Sequence, residues 1–392
     1  MRKNLTFVFL LIVMLASFGL GTFFFFFLVS CPVCPPEHVD FSLFWETWKT
    51  VEEKYVDSEK LDTQEMIYGA ITGMINSIDD PYTIFLDPSD SKMFSEDISG
   101  EFGGVGMEVG AREGELKVIA PLEGTPAKEA GLRAGDVIVK IDGESTAEMT
   151  LDQAVKMIRG EEGTEVTLTI SRDSWSEIRD IKIVRDIIEV PSLKWELKDG
   201  NIAYIQIHHF TQKASNDFNK IGREIMNSSA DRIVLDLRNN PGGYLGVAQN
   251  IGGWFLERGD VVAIEDFGEL KEREEYKASG PSALADYPVV CLINKGSASG
   301  SEILAGALRD NKGILLIGET SFGKGSVQQL VPLSDGSSLK VTVAKWLTPK
   351  GKSISGSGLE PDIKIEMNEE DYEEGRDKQL EKALESVKNL EK

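Results

Sequence analysis

The sequence predicts an α/β layered core interrupted by a β-rich unit, with helical segments at both ends and an apolar anchor in front. Three observations carry that prediction. Short apolar runs at residues 202–207, 233–237, 289–293 and 314–317 have the continuity of buried strands, and helical stretches at 214–226, 244–255 and 302–308 alternate with them. Between residues 98 and 188 the pattern changes to period-two strands separated by Gly-rich turns. Between Lys3 and Glu37 no residue is charged.

The composition bounds the function. A chain of 392 residues with 41% hydrophobic content has room for two or three domains. A formal charge of −23 repels polyphosphate, and no run of Lys and Arg offsets it, so a nucleic-acid partner is not expected. The three cysteines make no disulfide framework. Cys31 and Cys34 form half a zinc site without its second half, so no metal is expected, and Cys291 reads as a buried small apolar residue.

Residues 1–30 read as a membrane anchor or signal. Positions 7–29 are almost wholly apolar, enough for the roughly 20 residues that cross a bilayer and longer than a secretory core of about 7–15. Arg2 and Lys3 favour a cytoplasmic N-terminus, which places the rest outside the cytoplasm. A second reading stays open: Leu28-Val29-Ser30-Cys31 looks like a lipobox, with Cys31 lipidated as the mature N-terminus. Both readings anchor the chain at the membrane.

Residues 37–97 are expected to be mainly helical. Phe44, Trp45, Trp48, Val51 and Tyr55 recur at three and four, and Met66, Ile67, Ala70, Ile71 and Met74 share one face of a second helix; the aromatic stripe reads as core. The unit at 98–188 opens with a Gly-rich turn and strand over 101–109. A short helix ended by Gly131 follows, then a strand closed by Asp142-Gly143, a helix at 151–158 and a strand at 165–171. Through residues 102–109, 131–136 and the 151–158 helix this unit resembles a PDZ domain in permuted form. The resemblance implies that backbone N–H groups around Gly104, Val105, Gly106 and Met107 receive a peptide's C-terminal carboxylate, and that the strand from Gly106 pairs with the peptide. Residues 189–370 form the α/β core. Residues 371–392 read as a closing helix with Leu380, Ala383, Leu384, Val387 and Leu390 as its stripe, and the two helical ends offer surfaces for pairing subunits.

Three core segments carry chemistry. Asn294-Lys295-Gly296-Ser297-Ala298-Ser299-Gly300-Ser301-Glu302 follows a strand and opens a helix, where a serine is exposed near positive backbone dipoles. A serine nucleophile needs a base. Only three histidines exist, His38, His208 and His209, and none is well placed for one. Lys324, between two glycines, can serve if burial lowers its pKa. Gln328, four residues on, shares its face and could hold the amine. N–H groups of Gly300 and of Gly242 or Gly243 could bind an oxyanion.

The segments at 296–302 and 323–328, the 25-residue step from Ser299 to Lys324 and the four-residue step to Gln328 resemble the signature of the carboxyl-terminal processing (tail-specific) proteases, peptidase family S41. Residues 236–243, 348–351 and 358–362 match as well. The resemblance covers about residues 40–388 and selects Ser299 among three neighbouring serines. It implies a core of crotonase or ClpP type and a serine endopeptidase without cofactor. It also implies cleavage of exported or misfolded proteins that carry free, apolar C-termini, by a Ser-Lys dyad supported by Gln.

The rivals are thinner. Residues 318–324 approach a P-loop, but Gly325 stands where Ser or Thr binds Mg²⁺. Ser89-Asp90-Ser91-Lys92 lacks the companion motifs of penicillin-recognising enzymes. The main alternative is a catalytically silent, membrane-bound PDZ scaffold.

Overall fold

The computed structural model describes Met14 and residues 38–112, 114–368, 370–371 and 374–391. The anchor reading at 1–30, and Cys31 and Cys34, therefore lie outside the described residues, Met14 apart. Among the described residues no helix is long and apolar enough to cross a membrane.

The chain divides into two compact units, residues 1–69 and 70–392. In the first, α1 (Ser42–Lys54) buries no residue, and Trp45 is 61% exposed. Its aromatic stripe packs on itself instead, with Phe44 and Trp45 at 5.0 Å between ring centroids. The expectation that this stripe is core is corrected: helical periodicity shows which residues share a face, not what covers that face. α2 (Thr63–Asn76), which runs across the division, buries Ile75 alone.

The second unit begins with β1 (Ile84–Leu86) and α3 (Pro88–Ser99). Asp87 caps α3 by accepting from Asp90 N at 2.8 Å, Pro88 occupies its first turn, and Gly100 ends it at φ +82°. β2 (Glu101–Gly104) then leads into the inserted domain: β3 (Met107–Arg112), β4 (Glu115–Pro121), α4 (Pro126–Glu129), β5 (Val137–Ile141), β6 (Glu144–Ser145), α5 (Leu151–Ile158), β7 (Glu165–Ser171) and β8 (Arg179–Val184). The return strand β9 (Asp186–Glu189) pairs antiparallel with β2, so the domain's two connections are zipped together. Gly103 is obligatory there, since a Cβ would stand 2.0 Å from Gly160 O. The sheet order β3-β4-β5-β7-β8 closes over Val118, Ile138, Ile141, Val166, Leu168 and Ile170. Buried Asp136 is held by Arg172 through bonds of 2.6 and 2.7 Å. Arg185 satisfies the last carbonyls of α5, Met157 O at 2.8 Å and Ile158 O at 2.9 Å.

The core continues with β10 (Leu193–Lys198), β11 (Ile202–Ile207), α6 (Ala214–Met226), β12 (Arg232–Asp236), α7 (Leu245–Phe255), β13 (Val261–Asp266), β14 (Glu274–Lys277), β15 (Val289–Ile293), α8 (Gly300–Lys312) and β16 (Leu315–Gly318). It ends with β17 (Ser326–Pro332), β18 (Ser338–Leu347), β19 (Ile363–Lys364) and α9 (Lys378–Lys388). One sheet runs β10-β11-β12-β15-β16-β19, parallel from β11 onward with β10 as an antiparallel edge. Alternate strand residues face opposite layers. Ile205, Leu235 and Cys291 join Phe218, Trp254 and Leu304 of the α6–α8 layer. Tyr204, Val234 and Leu292 join Ala383 and Val387 of α9. Burial on both faces is why these strands read as unbroken apolar runs.

The alternating strand and helix pattern expected over 189–370 is incomplete. A second, antiparallel sheet sits in this unit. β17 lies along one edge of β18, β1 and β13 share the other, and β14 continues from β13. Its strands are half-exposed and lack the apolar runs by which the parallel strands are recognised.

Phe218 is fully buried and meets Trp254 and Phe255 at centroid distances of 6.0 and 5.7 Å. Phe218→Ala is expected to lower core stability by about 3–5 kcal/mol, read as a lower denaturant midpoint at an unchanged slope.

Candidate active site

β12 and β15 are parallel neighbours, so the turns after them leave the same end of the sheet side by side. The second turn carries three serines. Ser297 is fully buried, donates to Leu237 O at 2.8 Å and accepts from Asn294 N at 2.9 Å. Ser301 is fully buried and donates to Asn240 O at 2.9 Å. Ser299, between them, is partly exposed and sits at φ +53°, ψ −115°. That conformation costs a residue with a side chain about 1–3 kcal/mol and holds it at a sharp strand-to-helix turn.

The turn after β12 braces this strained residue. Ala298 N donates to Asn240 O at 3.0 Å, and the fully buried Asn240 side chain donates to Ile207 O and accepts from Gly242 N, both at 2.8 Å. Gly242, at φ +100°, lies so close that a Cβ would come within 2.6 Å of Ser299 Cβ. Gly243, at φ +143°, would set one 2.3 Å from Phe210 O. Of these two glycines, Gly242 spends its N–H on Asn240, whereas the Gly243 N–H has no partner among the described residues. Gly243 N lies 3.6 Å from the Cβ position of Gly300, whose own N–H belongs to the unpaired first turn of α8.

Lys324 comes from the stretch leading into β17. Trp346, buried on β18, pins it by donating from Nε1 to Lys324 O at 2.8 Å and from its N–H to Gly325 O at 3.0 Å. Its flanking glycines are crowded: a Cβ on Gly325 would stand 2.3 Å from Ser355 Oγ. Burial first, and the positive charge of Lys340 second, bring the Lys324 amine down to about 8, against the opposing pull of Glu302. Its Nζ lies 5.5 Å from the centre of the Tyr82 ring.

Glu302 joins the two halves. It is fully buried on the first turn of α8. Its Oε2 accepts from Ser299 N and from Lys324 N, each at 3.0 Å. Its Oε1 accepts from Ser321 Oγ at 2.6 Å and Gly323 N at 2.7 Å. Ser321 Oγ itself accepts from Leu359 N at 2.7 Å, so its proton goes to Glu302. Burial raises the Glu302 pKa, and the four donors oppose that rise. Ser299 and Lys324 thus hang by their backbones on one carboxylate oxygen. Their bonds to Glu302 are through backbone N–H groups, and no hydrogen bond joins the two side chains.

Gln328 lies on β17 and donates from Nε2 to Ser326 Oγ at 2.7 Å and to Thr342 Oγ1 at 3.4 Å; it makes no hydrogen bond to Lys324. His208 and His209 are anchored through their backbone N–H groups on Ser192 O, and burial lowers the pKa of both. The thiol of Cys291 is fully buried in the sheet, and that burial pushes its pKa up. Among the described residues no group of three His, Cys, Asp or Glu is arranged to hold a metal ion. Gly104, Val105, Gly106 and Met107 form a separate place, the corner from β2 to β3. There Val105 O accepts from Ala127 N at 2.7 Å, and Gly106 O accepts from Thr125 Oγ1 at 2.8 Å. β3 ends its sheet, with β4 as its one partner strand. Sequence reasoning missed Glu302, Asn240 and Trp346 as site residues. Only Glu302 left a local signal, the Ser-x-x-Glu spacing at a helix start.

Known proteins share the sequence and fold of this chain. Residues 201–365 match the family described as Peptidase family S41, residues 117–172 match the PDZ domain, and residues 37–89 match the activating protease CtpB N-terminal domain. The Carboxy-terminal-processing protease of Bartonella bacilliformis is 40% identical over 82% of this chain and 74% of its own length. The Carboxy-terminal processing protease CtpB of Bacillus subtilis is 37% identical over 82% of this chain and 66% of its own. Among solved structures, the photosystem II D1 C-terminal processing protease is 30% identical at a TM-score of 0.51, over 83% of this chain and 92% of that one. A putative S41 protease from Bacteroides fragilis, 16% identical, shares the fold at a TM-score of 0.56, over 92% of this chain and all of its own. The chain therefore belongs to the carboxy-terminal processing proteases of peptidase family S41, serine-type peptidases, and carries a PDZ domain.

Proposed function

We propose that the chain is a membrane-anchored endopeptidase that cuts exported or misfolded proteins held by their C-terminal tails, with Ser299 as nucleophile and Lys324 as general base. The observation that carries the proposal is the shared Glu302 oxygen, which accepts from the backbone N–H of a strained serine and from that of a lysine whose amine is brought down to about 8.

The neutral Lys324 amine takes the Ser299 hydroxyl proton as Oγ bonds the peptide carbonyl carbon. The oxyanion that forms faces the N–H groups of Gly243 and Gly300, the open pair at the turn. Lys324 then gives its proton to the leaving nitrogen as the C–N bond breaks. A water deprotonated by Lys324 attacks the acyl-serine, releases the new carboxyl terminus and restores Ser299. Gln328, with Nε2 held by Ser326 and Thr342, keeps Oε1 as an acceptor for the ammonium.

The tail is received by the inserted domain, its carboxylate at the Gly104–Met107 corner and its backbone along the free edge of β3. An apolar final residue is the tail that the family resemblance suggests for it. Residues 1–30 keep the enzyme at the outer side of the membrane, as a span or through a lipid on Cys31.

Ser299→Ala and Lys324→Ala are each expected to lower kcat/KM on an unfolded protein with an apolar C-terminus by at least about 10³-fold, with the thermal unfolding midpoint unmoved. Because only the neutral amine accepts a proton, activity should rise through about pH 8, falling close to tenfold per pH unit on the acid side. A profile flat from about pH 6 to 9 rules out the lysine base. Converting the substrate's terminal carboxylate to an amide should raise KM on long substrates; an unchanged KM removes the tail-binding role of the inserted domain.

A further inference from the structure

The two strands that carry the site, β12 and β15, stay in register as far as Asp236 and Leu292, and one more ladder bond runs from Leu237 N to Leu292 O at 3.0 Å. Past that point the sheet no longer holds the chain, and the turns 237–243 and 294–300 meet through other bonds. Asn239 and Asn294 face each other there. Asn239 N donates to Asn294 Oδ1 at 2.9 Å, and Asn294 Nδ2 donates back to Asn239 Oδ1 at 2.8 Å. Among the described residues the second of these is the one hydrogen bond between the two turns with a side chain at each end. Asn294 Oδ1 also accepts from Gly296 N at 3.0 Å, and Asn294 O accepts from Ser297 N at 2.8 Å. One asparagine therefore shapes its own turn and grips the neighbouring one.

The fit is close, and the residue types suit it. Asn239 sits at φ +57°, a left-handed conformation that asparagine tolerates better than most side chains. A Cβ on Gly296 would come within 2.8 Å of Asn239 Cα and 3.0 Å of its Oδ1, so glycine is what lets the turns approach this far. Asn239 is exposed and Asn294 half-buried, whereas Asn240, Ser297 and Ser301 of the same turns are buried. The pair therefore adds little to the core, yet it adjoins what the chemistry needs. Asn240, the next residue, receives Ala298 N and the Ser301 hydroxyl on its backbone oxygen and Gly242 N on its side chain. The two candidate oxyanion donors lie on different turns, Gly243 on the first and Gly300 on the second, with Gly243 N 3.6 Å from the Cβ position of Gly300. The spacing of those donors is the spacing of the turns.

We propose that Asn239 and Asn294 are a positioning pair for the reaction, a side-chain clasp that sets the distance between the Gly243 N–H on one turn and the Gly300 N–H on the other. The proposal rests on the Ser299–Lys324 reading and its oxyanion donors, and adds what keeps those donors in place. Both asparagines act through the turns and not on the substrate. An oxyanion forms only as the reaction proceeds, so a drift of the turns should show in kcat and spare substrate binding.

The test measures kcat and KM on an unfolded protein with an apolar C-terminus for the parent, Asn239→Gly, Asn239→Asp and Asn294→Asp. Asn239→Gly keeps the left-handed backbone and removes the side-chain bond; kcat is expected to fall about 5- to 30-fold with KM moved by no more than about twofold. Asn239→Asp keeps an acceptor for Asn294 Nδ2 and should recover most of that loss. Asn294→Asp keeps an acceptor for the Asn239 and Gly296 N–H groups but turns a carboxylate oxygen toward Asn239 Oδ1, and should lose kcat as the glycine variant does; it carries the comparison if Asn239→Gly fails to fold. A readout apart from turnover is inhibition by a peptide aldehyde with an apolar terminal residue, whose carbonyl oxygen takes the oxyanion's place when Ser299 Oγ adds to it. Its inhibition constant should rise by the factor by which kcat falls. An unchanged kcat in Asn239→Gly, a loss confined to KM, an Asn239→Asp variant as slow as Asn239→Gly, or aldehyde inhibition that stays at the parent value overturns the proposal. Activity surviving in Ser299→Ala or Lys324→Ala defeats the dyad itself. Dead dyad variants beside an unmoved Asn239→Gly kcat defeat the clasp alone.

Discussion

Everything at the site hangs on the buried carboxylate of Glu302. A carboxylate removed from water costs several kcal/mol unless its oxygens are filled. Here they are filled by four donors from the start of α8 and from the stretch 321–324. The same four bonds that make the charge tolerable also dictate where Ser299 and Lys324 stand. Neither residue could drift without leaving an acceptor unmet inside the protein. The unfavourable φ of Ser299 survives for the same reason: its N–H, the Ala298 N–H and the Ser301 hydroxyl are each tied to a partner that is itself buried.

The two sheets divide the labour. The parallel sheet presents its strand ends, and because β12 and β15 are neighbours, the Gly242-Gly243 turn falls against the serine turn. The antiparallel sheet supplies the lysine and its surroundings. Trp346 fixes the Lys324 carbonyl, and Thr342 and Ser326 accept from the Gln328 amide. A strained serine stands in one layer and a buried lysine leads into the other, and Glu302 is the seam between them.

The inserted domain has its own apolar core and joins the rest through the short β2–β9 ribbon. Its paired connections set where the domain leaves the α/β core. Backbone contact at Gly103 and Gly160, too close for any side chain, ties that ribbon to the end of α5.

Much of this was legible in the residues. The helix at 214–226 and the strands at 202–207 and 289–293 were readable to the residue, because strands buried on both faces and a helix buried on one leave strong patterns. The motif around Ser299 and its 25-residue step to Lys324 pointed to the family to which the chain belongs. The antiparallel sheet was not legible, since its half-exposed strands lack a clear apolar run and β1 reaches it from more than 200 residues away in sequence. Nor could sequence alone tell Gly242 from Gly243, or show that Gln328 is held by Ser326 and Thr342. The sequence by itself determined which residue types could react and in what order the layers follow. The tertiary structure decided which N–H groups remain open and which charges are felt, because hydrogen-bond satisfaction and burial belong to neighbours brought together by folding and not to spacing along the chain.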